Sequence, residues 1–241
     1  MWQTLDFICV SWQNCMFVRR MREEMGHKTH RWVLILEPEP GSYVTRIQEQ
    51  LNGCIPVEHY LTSSEVLSSL LRVGDLDCEA AAALFPPGCF YNNENGFQKA
   101  VSDAFRVVQS KLWRNSVIVA GQPANEIQDE CDWIEPKPSI LGCSGGVVRP
   151  VRRFWNKPSQ DAARDLARRG CLRNTSIMIG RVDAFLKLIA EANPDLPKTI
   201  PAAEYCTHLL TLSVDRVLVI TVGEAAWNGQ RGSSLKRAAS T

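Results

Sequence analysis

The chain has 241 residues, and its 27 lysines and arginines nearly balance its 26 aspartates and glutamates, which leaves a formal net charge of +1. Hydrophobic residues make up 45% of the chain. This composition is that of a globular protein and excludes a collagen-like or wholly disordered chain. The near-neutral charge, without a basic run, argues against nucleic acid or an anionic membrane as the main partner.

The nine cysteines form no Cys-x-x-Cys pair, and their number is odd. Several of them lie in apolar runs, where cysteine behaves as a small hydrophobic residue. This pattern predicts a reduced, cytoplasmic protein without a disulfide framework or a zinc site. The apolar stretch at residues 7–12 is too short to span a bilayer, and positive charges follow it instead of preceding it. We therefore expect neither a secretory signal nor a membrane partner.

The sequence divides into three parts. Residues 1–30 are predicted to be a loosely attached N-terminal extension, in which residues 11–26 could alternatively form an amphipathic helix. Residues 31–227 are predicted to form one domain. Residues 228–241 are polar and rich in small residues, and we expect a mobile tail.

Within the predicted domain, strand-like and helix-like stretches alternate. Apolar runs bounded by turn residues predict strands at residues 32–36, 80–85, 117–120, 147–154, 177–179 and 217–222. Periodic apolar residues and capping residues predict helices at residues 66–73, 93–108, 159–170 and 182–192. This alternation predicts an α/β fold with a mostly parallel sheet, with ligands bound beyond the carboxyl ends of the strands.

The most specific pattern lies between residues 133 and 175. Trp-Ile-Glu-Pro at residues 133–136 is followed by Arg-Phe-Trp-Asn-Lys-Pro-Ser at 153–159, by a short helix, and by Leu-Arg-Asn-Thr at 172–175. In order and spacing this stretch resembles the sugar-phosphate-binding half of the sugar nucleotidyltransferases, most closely the mannose-1-phosphate guanylyltransferase family. That family has Tyr-Gly-Tyr/Trp-Ile-Glu, then Arg-Phe-x-Glu-Lys-Pro, a helix and Leu-Trp-Asn-Ser/Thr. A weaker resemblance extends over residues 31–229.

The resemblance implies a Rossmann-like nucleotide-diphospho-sugar transferase fold with helices on both faces of the sheet. It implies transfer of a nucleotidyl group from a nucleoside triphosphate, GTP first, to a sugar 1-phosphate, mannose 1-phosphate first, with Mg²⁺ as cofactor. Such a reaction between two anions depends on positioning and charge neutralisation. Residues carried over to the substrate are Lys157 for the phosphate, Glu135, Asn174 and Thr175 for the sugar, and Gly41 and Ser42 for the nucleotide.

The sequence departs from the family pattern where the chemistry is most demanding. The expected Gly-Gly-x-Gly-x-Arg-Leu loop corresponds to Pro-Glu-Pro-Gly-Ser-Tyr-Val at residues 38–44, which has fewer backbone donors and an added negative charge. The two metal-binding aspartates correspond to Gly88 and Gly229, neither of which has a side-chain ligand. Asp132 replaces the glycine of the sugar turn. Residues 37–78 are few, so we expect one crossover unit near the N-terminus to be missing.

Three hypotheses follow. The first is an Mg²⁺-dependent nucleotidyltransferase of weak or lost activity, and the second is a non-catalytic regulatory or decayed homologue that at most binds a sugar phosphate. The third, a Rossmann-like binding protein unrelated to sugars, is disfavoured by the stretch at residues 151–175. The oligomeric state stays open.

Overall fold

The computed structural model describes residues 7–9, 32–36, 54–58, 63–85, 89–90, 94–123, 131–138, 148–191, 210–223 and 228–229. Four helices lie in this part of the chain: α1 (Ser63–Leu76), α2 (Glu94–Val108), α3 (Gln160–Arg168) and α4 (Val182–Glu191). Eleven strands accompany them: β1 (Phe7–Cys9), β2 (Trp32–Leu36), β3 (Cys54–Glu58), β4 (Ala81–Phe85), β5 (Cys89–Phe90), β6 (Val117–Gln122), β7 (Trp133–Pro136), β8 (Val148–Trp155), β9 (Leu172–Arg181), β10 (Val217–Thr221) and β11 (Asn228–Gly229). None of these helices combines the length and apolar character needed to cross a membrane.

Nine of the strands form one mixed sheet in the order β3-β2-β1-β4-β9-β6-β10-β8-β7. The pairings β3–β2, β2–β1, β1–β4 and β6–β10 are parallel, whereas β8 and β9 pair antiparallel with every neighbour. The predicted α/β class is confirmed, but the expectation of a mostly parallel sheet is corrected. Strands β8 and β9 run opposite to the other strands of the sheet. Every pairing that involves either of them is antiparallel, and these make up more than half of the pairings.

The N-terminal part of the sheet corrects the prediction of a missing crossover unit. Three parallel strands precede α1, and β1 lies in the interior of the sheet between β2 and β4. The connections at residues 10–31 and 37–53 are each longer than the roughly twelve residues that a parallel crossover requires. Residues 7–9, expected in a loose extension, thus belong to the sheet. The sequence pattern did not predict this strand, because a run of three residues is too short to show a periodicity.

The C-terminal part of the sheet curves into a closed circuit. Strand β7 pairs with β8 and also with the start of β9, so that β9, β6, β10, β8 and β7 are linked in a ring of hydrogen-bonded neighbours. The register of β9 against β6 shifts between Val119 and Gly121, which indicates a bulge. Bulges bend a strand and redirect its side chains. The bend lets the first residues of β9 reach β7.

Helices cover both faces of the sheet, as expected. Alternate residues of β4 point to opposite faces: Ala81 and Ala83 pack with α2, whereas Ala82 and Leu84 pack with α1 and α4. Helix α2 buries the apolar residues that repeat every three to four positions: Phe97, Val101, Ala104 and Val108. Two apolar layers therefore fix the sheet between helices.

Helix α3 packs elsewhere, against the curved end of the sheet. Ala163 and Leu166 are buried beside Trp133 of β7. Ser159 caps its first turn by accepting a hydrogen bond from the amide of Ala162 at 3.4 Å, and Gly170 follows its end in the left-handed conformation, with φ +76°. The predicted helix and both of its predicted ends are confirmed.

Candidate functional site

Lys157, predicted to bind the sugar phosphate, lies in the turn between β8 and α3. Its side chain is exposed, and its backbone has φ +36°, a value that residues other than glycine rarely adopt. Its amide donates a hydrogen bond to Oδ1 of Asp132 at 3.1 Å. The Asp132 carboxylate therefore holds the turn that presents this lysine.

Asn174, predicted to contact the sugar, lies in β9 opposite Gly121, at the carboxyl end of β6. Its amide donates to the carbonyl oxygen of Asp132 at 2.8 Å. Its side-chain Oδ1 accepts from the amide of Ser176 at 2.9 Å, and Ser176 has φ +59°. Asp132 thus joins the turn of Lys157 to the strand of Asn174, two segments that helix α3 separates along the sequence.

The close approach of strands around Asn174 requires a glycine in β6. A Cβ atom at Gly121 would lie 2.8 Å from Cβ of Leu172 and 3.0 Å from a methyl group of Val219. Both contacts are shorter than normal carbon–carbon packing distances. The absence of a side chain at position 121 therefore lets β9 pack closely against β6 beside Asn174.

Backbone strain marks the same place. Lys157 and Ser176 are the two residues other than glycine with positive φ in the described part of the chain. Each such conformation costs about 1–3 kcal/mol and persists only where the surroundings enforce it. Here the enforcing groups are Asp132 and Asn174, which accept hydrogen bonds from the two strained amides. Strain of this kind is typical of functional sites.

Thr175, also predicted to contact substrate, is buried between strands. Its hydroxyl donates to the carbonyl oxygen of Ala120 at 2.7 Å and accepts from the amide of Ile177 at 3.4 Å. These contacts give Thr175 a structural role, since they hold β9 to β6 where the register shifts. Its contact with substrate stays a prediction.

Glu135 is buried and engaged by neighbouring side chains. Its carboxylate accepts hydrogen bonds from Nη2 of Arg169 at 2.6 Å and from Nε1 of Trp155 at 3.0 Å, and Nη1 of Arg152 lies 3.6 Å away. Burial alone would raise the pKa of the Glu135 carboxyl, but the Trp155 hydrogen bond and the two guanidinium groups outweigh it and lower that pKa. Glu135 is therefore a carboxylate at neutral pH.

The contacts described above attach Glu135 to Trp155, Arg169 and Arg152, and its contact with substrate stays a prediction. Trp133 packs with α3, whereas Ile134 packs in the cluster that contains Leu172 and Phe154. Because side chains alternate along a strand, Glu135 shares the α3 face with Trp133, and Asp132 continues the opposite face. The contacts of Glu135 attach the end of α3 to β7 and β8.

The predicted nucleotide residues, Gly41 and Ser42, lie outside the described residues, and their role stays a prediction. Strand β2 precedes them, and it is not the first strand of the sheet, because the parallel strand β1 comes earlier in the chain. Gly41 and Ser42 therefore do not follow the first strand directly. The segment that follows β1 starts at residue 10, and the sequence has no glycine between Cys9 and Gly26. Glycines are what allow backbone amides to approach phosphates closely.

The predicted metal positions can be tested in part. Strands β5 and β11 form a separate antiparallel pair, in which Gly229 lies opposite Cys89. Gly88 itself lies outside the described residues, but its neighbour Cys89 pairs with the segment of Gly229. Neither glycine has a side-chain ligand, and a thiol is a poor ligand for Mg²⁺. No group of three His, Cys, Asp or Glu side chains suited to a metal occurs among the described residues. The residues present here do not fit an Mg²⁺ site.

Sequence reasoning missed the roles of two residues in this region. Asp132 stands out in the sequence only as a replacement for a glycine, although its position directly before the apolar Trp-Ile pair places it at the start of β7. Arg169 at the end of α3 gives no signal, because its ion pair with Glu135 spans 34 positions. Only folding brings such partners together.

Comparison with known proteins supports the fold. No protein-family model matches the sequence, and no curated protein matches it either. Among solved structures, the chain is similar to a mannose-1-phosphate geranyltransferase from Thermus thermophilus, with a TM-score of 0.63, 11% identity, and coverage of 94% of this chain and 75% of that one.

Two further solved structures have a similar fold. A mannose-6-phosphate isomerase from Helicobacter pylori has a TM-score of 0.63 and 12% identity, and the match covers 94% of this chain and 100% of that one. A 4-diphosphocytidyl-2C-methyl-D-erythritol synthase has a TM-score of 0.53 and 9% identity, with coverage of 96% and 95%. The chain therefore shares its α/β fold with these three proteins.

Proposed function

We propose that this protein is a nucleotidyltransferase-like relative of nucleotide-sugar enzymes that binds a sugar 1-phosphate and whose nucleotidyl transfer is weak or lost. Mannose 1-phosphate is the first candidate ligand, and GTP is the first candidate nucleotide. The carrying observation is the link through Asp132, which joins the turn of Lys157 to the strand of Asn174. Fold similarity alone would not select a ligand.

The chemistry of the two linked residues suits a sugar phosphate. The exposed ammonium group of Lys157 provides a positive charge for a phosphate. Asn174 lies at the carboxyl end of β6, where open α/β sheets bind their ligands. Their mutual position is set by Asp132, which accepts the amide of Lys157 with its carboxylate and the amide of Asn174 with its backbone carbonyl.

The low transfer activity rests on what the nucleotide half lacks. Gly229 opposite Cys89 supplies no carboxylate, and the sequence after β1 has no glycine before Gly26. Removing one preorganised electrostatic group from an active site typically lowers kcat by about a hundredfold or more. Loss of two such groups leaves ligand binding as the property to be measured.

Isothermal titration of the full chain with mannose 1-phosphate tests the proposal. We expect saturable binding, and we expect Lys157→Ala to weaken it by about tenfold or more, because the phosphate loses its charged partner. Lys187→Ala, which removes an exposed lysine on α4, is the matched control and should leave the affinity unchanged. Absence of binding by the unmodified protein would remove the sugar phosphate from the proposal.

A second assay tests the loss of transfer. Pyrophosphate release is followed with GTP, mannose 1-phosphate and Mg²⁺, and then with Mg²⁺ omitted. We expect no difference between the two conditions. Robust Mg²⁺-dependent release would contradict the proposed loss and restore the first hypothesis, an active nucleotidyltransferase.

A further inference from the structure

Asp132 makes two hydrogen bonds of different kinds, one to each of the two candidate ligand-binding residues. Its side-chain Oδ1 accepts from the amide of Lys157, and its backbone carbonyl accepts from the amide of Asn174. The second bond depends only on the backbone and survives any substitution at position 132. The first depends on an acceptor in the side chain, so it can be removed selectively.

The side-chain bond acts on a backbone that would not hold its shape unaided. Lys157 has φ +36°, outside the region that lysine prefers, and Pro158 follows it. The residue before a proline is itself restricted to extended conformations. Without an acceptor for its amide, the turn is free to relax, and the link through Asp132 between the backbones of Lys157 and Asn174 is then lost.

The same carboxylate also has an electrostatic effect. It lies within hydrogen-bond distance of the backbone of the lysine that would bind a phosphate, so its negative charge opposes the charge of that ligand. At such separations near the surface, Coulomb repulsion is partly screened but not abolished. Positioning and repulsion therefore act in opposite directions on affinity, and different substitutions separate them.

We propose that Asp132 is a positioning residue for sugar-phosphate binding: it fixes the Lys157 turn beside Asn174, and its charge lowers the affinity that this geometry would otherwise give. This inference rests on the proposed function. Asp132 stands where the family pattern has a glycine. The backbone at position 132 does not need the left-handed conformation that glycine allows, because the positive φ lies at Lys157.

The test compares Asp132→Asn with Asp132→Ala, which remove the same charge. The asparagine keeps an oxygen that can accept from Lys157, and the alanine does not. By isothermal titration with mannose 1-phosphate we expect the Asp132→Asn variant to bind about threefold more tightly than the unmodified protein. We expect the alanine variant to bind about fivefold or more weakly than the asparagine variant, the range for one exposed hydrogen bond.

Hydrogen exchange in the absence of ligand provides the second readout. The amide of Lys157 should exchange slowly in the unmodified protein and in Asp132→Asn, and faster in Asp132→Ala, while the amide of Asn174 should be unaffected. Asp161→Asn is the matched charge control, since Asp161 is 95% exposed and pairs with Arg164 within α3. It should change neither measurement.

The outcomes separate the two proposals. If the unmodified protein does not bind mannose 1-phosphate, the proposed function fails, and the exchange rates still decide whether Asp132 holds the turn. If binding occurs but the asparagine and alanine variants have equal affinities and equal Lys157 exchange, the positioning role is overturned. Lower affinity in Asp132→Asn than in the unmodified protein would overturn the opposing effect of the charge.

Discussion

The two halves of this molecule differ in how their side chains could form a site. In the half proposed to bind a sugar phosphate, the elements β7, β8, α3 and β9 are consecutive along the chain, and the hydrogen bonds of Asp132 and Glu135 connect them. In the half predicted to bind the nucleotide, the predicted metal positions belong to segments far apart in the sequence, which pair as β5 and β11 in the described part of the chain.

This difference explains why one half retains a recognisable arrangement. A site within one contiguous unit is held by the same contacts that fold the unit, so its residues also contribute to stability. A metal site built from two distant carboxylates contributes little to folding without its metal and costs free energy through repulsion of like charges. Loss of such carboxylates is therefore tolerated by the fold even when it abolishes a reaction.

The largest expected effect comes from placing two carboxylates on the β5–β11 pair, one at Gly229 and one beside the predicted metal position Gly88. Residues directly opposite in an antiparallel pair have Cβ atoms about 4.5–5.5 Å apart, so Cys89→Asp with Gly229→Asp would place two carboxylates side by side. We expect this double variant to be stabilised by Mg²⁺, by about 2.7 kcal/mol when the ion is at a hundred times its Kd. Urea unfolding with and without Mg²⁺ measures the difference.

The matched control carries asparagine at both positions, which preserves size and removes the charges. It should show no dependence on Mg²⁺. If the aspartate pair also fails to respond to the ion, the pairing of β5 with β11 does not bring side chains close enough to hold it, and the contrast between the halves loses its main support.

The next effect concerns Glu135, which attaches α3 to the sheet. We expect Glu135→Gln to lower the free energy of unfolding by about 2 kcal/mol at neutral pH, because a buried carboxylate is lost while Arg169, half exposed, can still reach water. Urea unfolding provides the measurement. Glu191→Gln is the control, since Glu191 is 50% exposed and pairs with Arg216, and it should cost less than about 0.5 kcal/mol.

The same variant has a defined pH dependence. The pKa of Glu135 in the folded protein lies below its ordinary value of 4.5, so its contribution to stability is fully present above that pH. It is lost as the pH falls through the folded-state pKa and the carboxylate is protonated. The difference between the unmodified protein and Glu135→Gln should therefore shrink below about pH 4. A difference that grows with acidity would contradict the ion-pair origin of the effect.

A strand or helix could be predicted from the sequence only where its apolar pattern was long enough. The period of α2 and the apolar runs of β4, β6 and β10 are long enough to define their elements, and all were predicted. Strand β1 has three residues and β3 contains a proline, so neither produced a pattern. Missing β1 shifted the first strand to β2 and led to the incorrect expectation of a missing crossover unit.

The candidate site shows the same limit at the level of side chains. The motif order located Lys157 and Asn174, because both lie in a local pattern that a sequence displays. It grouped Glu135 with them but gave no sign of the ion pair that joins Glu135 to Arg169, and the substrate contacts of all three residues stay predictions. The face of the sheet that a strand residue occupies depends on the register of the strand. The register of β7 against β8 shifts between Glu135 and Pro136, and no sequence pattern indicates this shift.

The smallest expected effect tests whether the sugar-phosphate half really stores strain. At Lys157 a glycine should be more stable than an alanine by about 0.5–1 kcal/mol, because φ is +36° there and glycine adopts positive φ without a Cβ clash. At Arg164, exposed in the middle of α3, the order should reverse, with glycine about 1 kcal/mol less stable than alanine. Thermal or urea unfolding of the four variants measures the stability difference between glycine and alanine at each position, and its sign should be opposite at the two positions.

The advantage of glycine at position 157 should also depend on Asp132. In an Asp132→Ala background the turn is free to relax, so the alanine variant no longer has to adopt a positive φ, and the difference between Lys157→Gly and Lys157→Ala should fall toward zero. An unchanged difference would mean that other contacts enforce the conformation. A difference that vanishes would show that a single carboxylate maintains the strain, and hence that this half of the molecule is organised around the presentation of Lys157.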